Sequence, residues 1–437
     1  MTDAIDHPQR YELVAELHAR PSARMVAPAT AVFLAFKEPR EAVNRDRARD
    51  TEHLTALARR HGAPAPEAGP GHYAARLGRH ELRWENHAEF VTYTAFAPGL
   101  PQRTFDPALA EVFPVEWQAA APGKRLSAAL VHLDVLPEDP AELMPQFVEW
   151  FAPDSLAAVW VLEEAAVVAS DFRIDPAGFT RFAVFVRRGT GPGRTGRIVQ
   201  RVLELETYQA MSMLGLPRAR HLAARLNALE PRLGAIVDGM AEGVSGAGRP
   251  AEAVLDDLLT ASAELEAAAA QISFRLSATR AYSAIASERI AALRESRFLD
   301  RQTLTEFMAR RYAPAMRTVA SAEARLQAML DRTERAGELL RTRVDVARSG
   351  QNRDLLASMD RRADLQLRLQ HTVEGLSVVA ISYYAVGLAG YLLGPLAHAG
   401  GVDKAVLTAG LVPVIVLSVW FGMRRVRRRL HHSGGDL

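Results

Sequence analysis

Two apolar runs near the C-terminus constrain this chain more than any other feature. Residues 372–396 read TVEGLSVVAISYYAVGLAGYLLGPL, and residues 405–423 read AVLTAGLVPVIVLSVWFGM. Each is close to the ~20 apolar residues that cross a ~30 Å hydrocarbon core. Arg361, Arg362 and Arg368 precede the first run, and Arg424, Arg425, Arg427, Arg428 and Arg429 follow the second. The loop between them, residues 397–404, holds only Asp403 and Lys404. Positive charge collects on the cytoplasmic side of membrane helices, so both termini are expected inside and the loop outside. The competing reading, two buried core helices, leaves the flanking arginines and the charge-poor loop unexplained.

Upstream of the runs the chain reads as soluble. Its N-terminus, MTDAIDHPQRYELVAEL, has no apolar h-region, so no secretory signal is expected. The 437 residues contain no cysteine, which removes disulfides, thiolate metal sites and cysteine nucleophiles. Lys and Arg number 53 against 51 Asp and Glu, a net charge of +2. That balance argues against a general nucleic-acid binder.

Residues 1–195 predict a mixed α/β domain. A helix is expected over residues 8–18 behind Asp6, and a charged one over residues 38–60. Residues 61–71, HGAPAPEAGPG, read as a loop. Strands are expected at 30–36, 73–77, 81–84, 90–96, 126–136, 157–162, 165–172 and 179–187, with a helix from about Glu138 to Phe151. Gly78-Arg79 makes a hairpin turn. A sheet of six to eight strands follows, covered by helices on at least one face.

Residues 196–371 predict helices. One covers 198–229 with a kink or break at Pro217, a turn follows at 243–250, and a second helix covers 251–299. Thr303 and Glu306 form a capping-box pattern. Beyond it, Leu304, Met308, Tyr312, Ala315, Val319, Ala322, Leu326, Leu330, Thr333, Gly337, Leu340 and Val344 recur at coiled-coil spacing. The reading is a coiled-coil-like stalk of roughly 70 residues, about 100 Å long, that runs into the first span. Its stripe fits either the preceding helix or a sister subunit. The spans then occupy 372–396 and 405–423, as a two-helix transmembrane hairpin, with a basic tail over 424–437.

Four motifs carry candidate chemistry. Gly191-Pro-Gly-Arg-Thr-Gly196 matches G-x-G-x-x-G, with Arg194 available to an anion, but no βαβ unit follows and a linker fits as well. Glu81, Arg83, Glu85, His87 and Glu89 alternate. An unbroken strand would therefore place Glu85, His87 and Glu89 on one face as ligands for a divalent cation, while a turn at Asn86 would break the set. His18-Ala-Arg-Pro21 puts Arg20 where a carboxylate or phosphate could be clamped, or a helix end capped. In the first span Ser377, Ala380, Tyr384, Gly387, Gly390 and Gly394 make a small-residue face suited to helix packing or to lining a pore, and Glu374 stands at its cytoplasmic entrance. No Ser-His-Asp set, nucleotide-binding loop or H-E-x-x-H is present, so no enzyme activity and no dedicated cofactor are expected.

Several of these stretches together resemble a known family: His18-Ala-Arg-Pro21, Trp84-Glu-Asn-His-Ala-Glu-Phe90, Gly196-Arg-Ile-Val-Gln-Arg201 with Glu206-Thr-Tyr208, Gln351-Asn352 with Leu355-Leu-Ala-Ser-Met-Asp360, and Gln370-His-Thr-Val-Glu-Gly-Leu-Ser377. The family is the bacterial membrane-anchored group called domain of unknown function 3422. The resemblance implies an anchor in the bacterial inner membrane and no established activity. The order of elements is also similar, more distantly, to CorA-type magnesium channels, which are pentamers. Their Gly-Met-Asn signature is replaced here by Gly390-Tyr-Leu-Leu-Gly394-Pro395. The expectation is a homo-oligomer in the lipid bilayer with a cytoplasmic head. It acts as a CorA-like cation transporter or as a non-transporting scaffold or ligand sensor, with its soluble partner left open.

Overall fold

A computed structural model of the chain describes residues 6–7, 9–11, 13–14, 22–39, 45–67, 71–242, 250–399 and 403–432. Most of the first expected helix and of the turn at 243–250 lies outside them, as do His18 and Arg20. Two compact units result, Met1–Gly337 and Glu338–Leu437.

The first unit is built on a mixed sheet of nine strands: β1(Ala29–Lys37), β2(His72–Leu77), β3(His80–Asn86), β4(Phe90–Pro98), β5(Lys124–Val135), β6(Ala157–Val161), β7(Ala166–Ser170), β8(Thr180–Val186) and β9(Ser296–Arg297). Their order is β2-β3-β4-β1-β5-β8-β7-β6-β9. Only β5 and β8 pair in parallel; the other neighbours are antiparallel. The ninth strand joins from far down the chain, as two residues too short for a sequence pattern to mark. The β2–β3 turn is Gly78-Arg79 as expected, with Gly78 at φ +58°, where a side chain would be strained.

β1 is buried along its whole length because both faces of the sheet are covered. Its alternate residues part accordingly. Ala31, Phe33 and Ala35 enter one core with α4(Pro192–Met213), the C-terminal end of α6(Ala251–Leu293) and α7(Leu304–Arg311). Val32, Leu34 and Phe36 enter the other, with α1(Arg47–Arg60), α2(Val115–Ala119) and α3(Leu143–Trp150). Helix α1 starts later than expected because Asp46 caps it, accepting from the Ala48 amide.

The helix expected over 198–229 is two helices. α4 ends at Met213, and α5(Gly215–Glu242) begins just before Pro217, which sits in its first turn where a missing amide costs nothing. Gly215 lies so close to α6 that a Cβ there would come within 2.3 Å of Thr279 Oγ1. α6 ends at Arg294, which adopts φ +47°. Thr303 and Glu306 form the reciprocal capping box of α7. α7 gives way at Tyr312 to α8(Ala313–Ala399), a single helix of 87 residues.

α5, α6 and the start of α8 form a bundle. Arg232 reaches Glu264 at 3.0 Å and Arg225 reaches Gln271 at 3.0 Å, a falling register that makes α5 and α6 antiparallel. α8 joins them through Glu323–Arg280 at 3.4 Å and Arg325–Asn227 at 2.6 Å. Its buried stripe is Val319, Ala322, Leu326, Met329, Thr333 and Ala336. The coiled-coil spacing is thus used within this chain over this stretch. Met329 and Ala336 take the buried positions that the sequence pattern assigned to Leu330 and Gly337.

The second unit holds the rest of α8 and α9(Lys404–His432). From Asp345 to Val373 every residue of α8 is exposed except the half-buried Ser358. Both α8 and α9 are long and apolar enough to cross a membrane, and their apolar windows are 6% and 0% buried. Core helices of a soluble protein would be mostly covered.

Candidate functional site

The polar chemistry of the first unit gathers where β3 and β4 face α4. β3 ends at Asn86 and the chain bends through Ala88 and Glu89 before β4 begins. The bend divides the residues that an unbroken strand would align. His87 stays with Glu85, Nε2 to Oε2 3.5 Å, lies 3.5 Å from Thr92 Oγ1, and stacks on Phe90 at 4.3 Å. Glu89 is carried away to α6. Among the described residues no three His, Asp or Glu side chains converge as a metal shell. The bend at the end of β3 is the reason that Glu85, His87 and Glu89 do not share a site.

Behind Glu85 and His87 lies a small cavity, about 60 Å³, with space for water-sized guests. Met25, Phe33 and Phe96 give it an apolar floor. Gln200, Glu204 and Tyr208 of α4 form its far wall. Glu204 is satisfied there by Gln200 Nε2 at 2.8 Å and by the Arg289 guanidinium.

Glu89 is 2% exposed and forms an ion pair with Arg275, itself 6% exposed. The ammonium of Lys37, 7% exposed, lies 3.8 Å from the same carboxylate and donates to the Glu38 carbonyl at 2.8 Å. Burial pushes the Lys37 ammonium below its usual range, Arg275 adds to this, and Glu89 opposes it. Burial likewise raises the Tyr282 hydroxyl, with Glu89 beside it reinforcing the effect. Two cations on one enclosed carboxylate tie the end of β1 and the β3–β4 bend to the middle of α6.

A second carboxylate, Glu206, has no role assigned by the sequence beyond the family resemblance. Glu206 of α4 points at the sheet between β5 and β8, where Thr180 Oγ1 donates at 3.0 Å and Ser127 Oγ at 3.4 Å. Burial pushes its pKa up to about 7, and the two hydroxyls hold it back. The signal was present in the pattern, a carboxylate next to the buried Leu205 and Thr207. Only the sheet register shows what it meets.

Gly191–Gly196 is not a linker between elements. It is the start of α4, with Gly191 as N-cap. Arg194 donates to the Leu162 carbonyl at 2.6 Å and to Glu163 at 2.9 Å, and so pins the β6–β7 turn. A Cβ on Gly196 would fall 1.7 Å from the Ala23 carbonyl oxygen, so the glycine admits a backbone crossing.

In the second unit, Glu374 accepts from Gln370 Nε2 at 3.5 Å and lies 3.9 Å from His371 Nδ1. The covered positions of α8 here run Val378, Ser382, Ala385 and Ala389. The small-residue face is set differently. Ser377 and Gly390 sit at the margin of the covered strip, while Ala380, Tyr384 and Gly387 are exposed and Gly394 is placed only as part of the helix.

The family model described as Protein of unknown function (DUF3422) matches residues 5–430. The chain belongs to that family. No curated protein and no solved structure matches it.

Proposed function

We propose that this chain is a membrane-anchored assembly protein, held by α8 and α9 in the bacterial inner membrane with both termini cytoplasmic, and that copies associate through α8. One observation carries the reading. Between Asp345 and Val373 the helix has no cover, yet Leu355, Leu356, Met359, Leu365, Leu367 and Leu369 lie along it. An uncovered helix is marginal in water, because most helical stability comes from packing an apolar face. A parallel second copy suits the segment, since its charges mix signs: Arg353, Asp354, Asp360, Arg361, Arg362, Asp364 and Arg368. In this reading the head is a non-catalytic scaffold. Full-length protein in mild detergent, weighed by native mass spectrometry, tests it: a closed oligomer is expected, and a monomer at all concentrations sinks it.

A CorA-like cation pathway is the second reading. It is favoured by the continuity of α8 from the bundle to Ala399 and by the exposed small residues Ala380 and Gly387. It requires enough subunits to enclose a path, so a pentamer with cation flux in liposomes supports it and a dimer excludes it.

A further inference from the structure

Helix α9 does not end with its apolar run. It continues unbroken through Arg424 to His432, about 13 Å at 1.5 Å per residue. Five arginines lie in this extension, and no acidic residue occurs from Lys404 to His432. At ~100° per residue, positions 419, 423, 426 and 430 (Val, Met, Val, Leu) fall on one narrow strip, and the arginine positions take the rest of the circumference. Arg424 and Arg425, which open the series, are exposed. The Arg424 guanidinium lies over the Trp420 ring, 5.0 Å from its centroid. A tryptophan with a cation on its face, at the edge of an apolar helix, suits the depth of lipid headgroups.

We infer that the end of α9, Trp420–His432, is a binding surface for the headgroups of anionic phospholipids. The inference rests on the membrane reading above. Guanidinium forks match phosphate oxygens bidentately. The arginines follow the apolar window on the same helix, so the phosphates within their reach are those of the leaflet that holds the span. The chain's net charge of +2 supplies no wider field for nucleic acid.

Tryptophan quenching tests this with the full chain in vesicles of phosphatidylcholine containing a minority of phosphatidylglycerol, with bromine carried on one lipid or the other. The Trp420→Phe variant identifies the signal from Trp420. Brominated phosphatidylglycerol is expected to quench Trp420 as though enriched about fivefold over its bulk fraction, what a single arginine near an anionic surface supplies. The enrichment should fall toward one as salt shortens the Debye length from ~10 Å at 0.1 M to ~3 Å at 1 M. Replacing all five arginines by glutamine should abolish the preference and leave quenching by brominated phosphatidylcholine intact. Quenching by the two lipids in proportion to their bulk fractions in the wild type, or a preference indifferent to salt, overturns the inference and leaves the anchor standing. Quenching by neither lipid overturns both.

Discussion

Glu89, in the bend after β3, and Arg275, in the middle of α6, form a buried ion pair across 186 residues of sequence. With Lys37 close by, the one Glu89 carboxylate faces two enclosed cations. Glu89→Gln removes the carboxylate they share and is expected to cost about 3–5 kcal/mol. Arg275→Met should cost less, because Lys37 still faces Glu89. Urea unfolding of the full chain in detergent checks the order; an equal or reversed order means Lys37 does not share the carboxylate.

Glu206 gives stability a pH dependence of unusual sign. Its carboxyl titrates near 7 when folded and near 4.5 in the unfolded chain. Between those values the folded state holds the extra proton, so stability falls as pH rises through the window and levels off above about 7. Glu206→Gln keeps a partner for Thr180 and Ser127 and removes the titration. At pH 8 it should be more stable than wild type by on the order of 2 kcal/mol, with the part of the shift owed to partly exposed surface discounted, and the gap should close by pH 5. Buried His53 and His132, whose pKa values burial lowers, push stability the opposite way and are common to both proteins. The difference between unfolding midpoints at pH 5 and pH 8 therefore isolates Glu206. A constant difference would mean that the carboxyl is ionised throughout.

The start of α4 offers a paired test. Gly196→Ala drives a Cβ into the Ala23 carbonyl, backbone against backbone, and should cost about 3 kcal/mol or more. Gly193→Ala meets only the far end of Arg197 at 3.6 Å and gains helix propensity, so it should be neutral or slightly stabilising. Equal thermal shifts in the two variants would show that residues 23–25 yield easily.

These positions mark what sequence could supply. Period-two and apolar-run patterns found the eight longer strands because burial on one face or two writes itself into residue order. The capping box at Thr303 and the turn at Gly78 were legible because each is a local chemical requirement. The partners of Glu89, Glu206 and Gly196 were not, since each is set by register between distant elements. The metal face failed on one local event, the end of β3 at Asn86, which alternation alone does not reveal. The stalk spacing marks a packing stripe, displaced by one residue at Met329 and Ala336, and its period does not say whether the partner is α6 or another copy. In the structure the stripe stays buried as far as Val344, and beyond it the helix is left open.

That open segment carries the last prediction. Leu365 and Leu369 are 66% and 67% exposed and one helical turn apart, so they project from one side of α8. If copies associate through this region, Leu365→Glu with Leu369→Glu brings like charges together at every contact and exposes them to a partner's apolar side chains. The expected result is a drop in subunit number by native mass spectrometry, steeper on dilution than for wild type. Extraction from membranes should still require detergent, because the apolar runs of α8 and α9 are untouched. The head should unfold at the wild-type temperature, because neither leucine belongs to either core. An unchanged subunit count would move the self-association to the membrane segment, where Ala380 and Gly387 are the next surface to test. Loss of membrane attachment would instead show that α8 holds the bilayer only as part of an assembly.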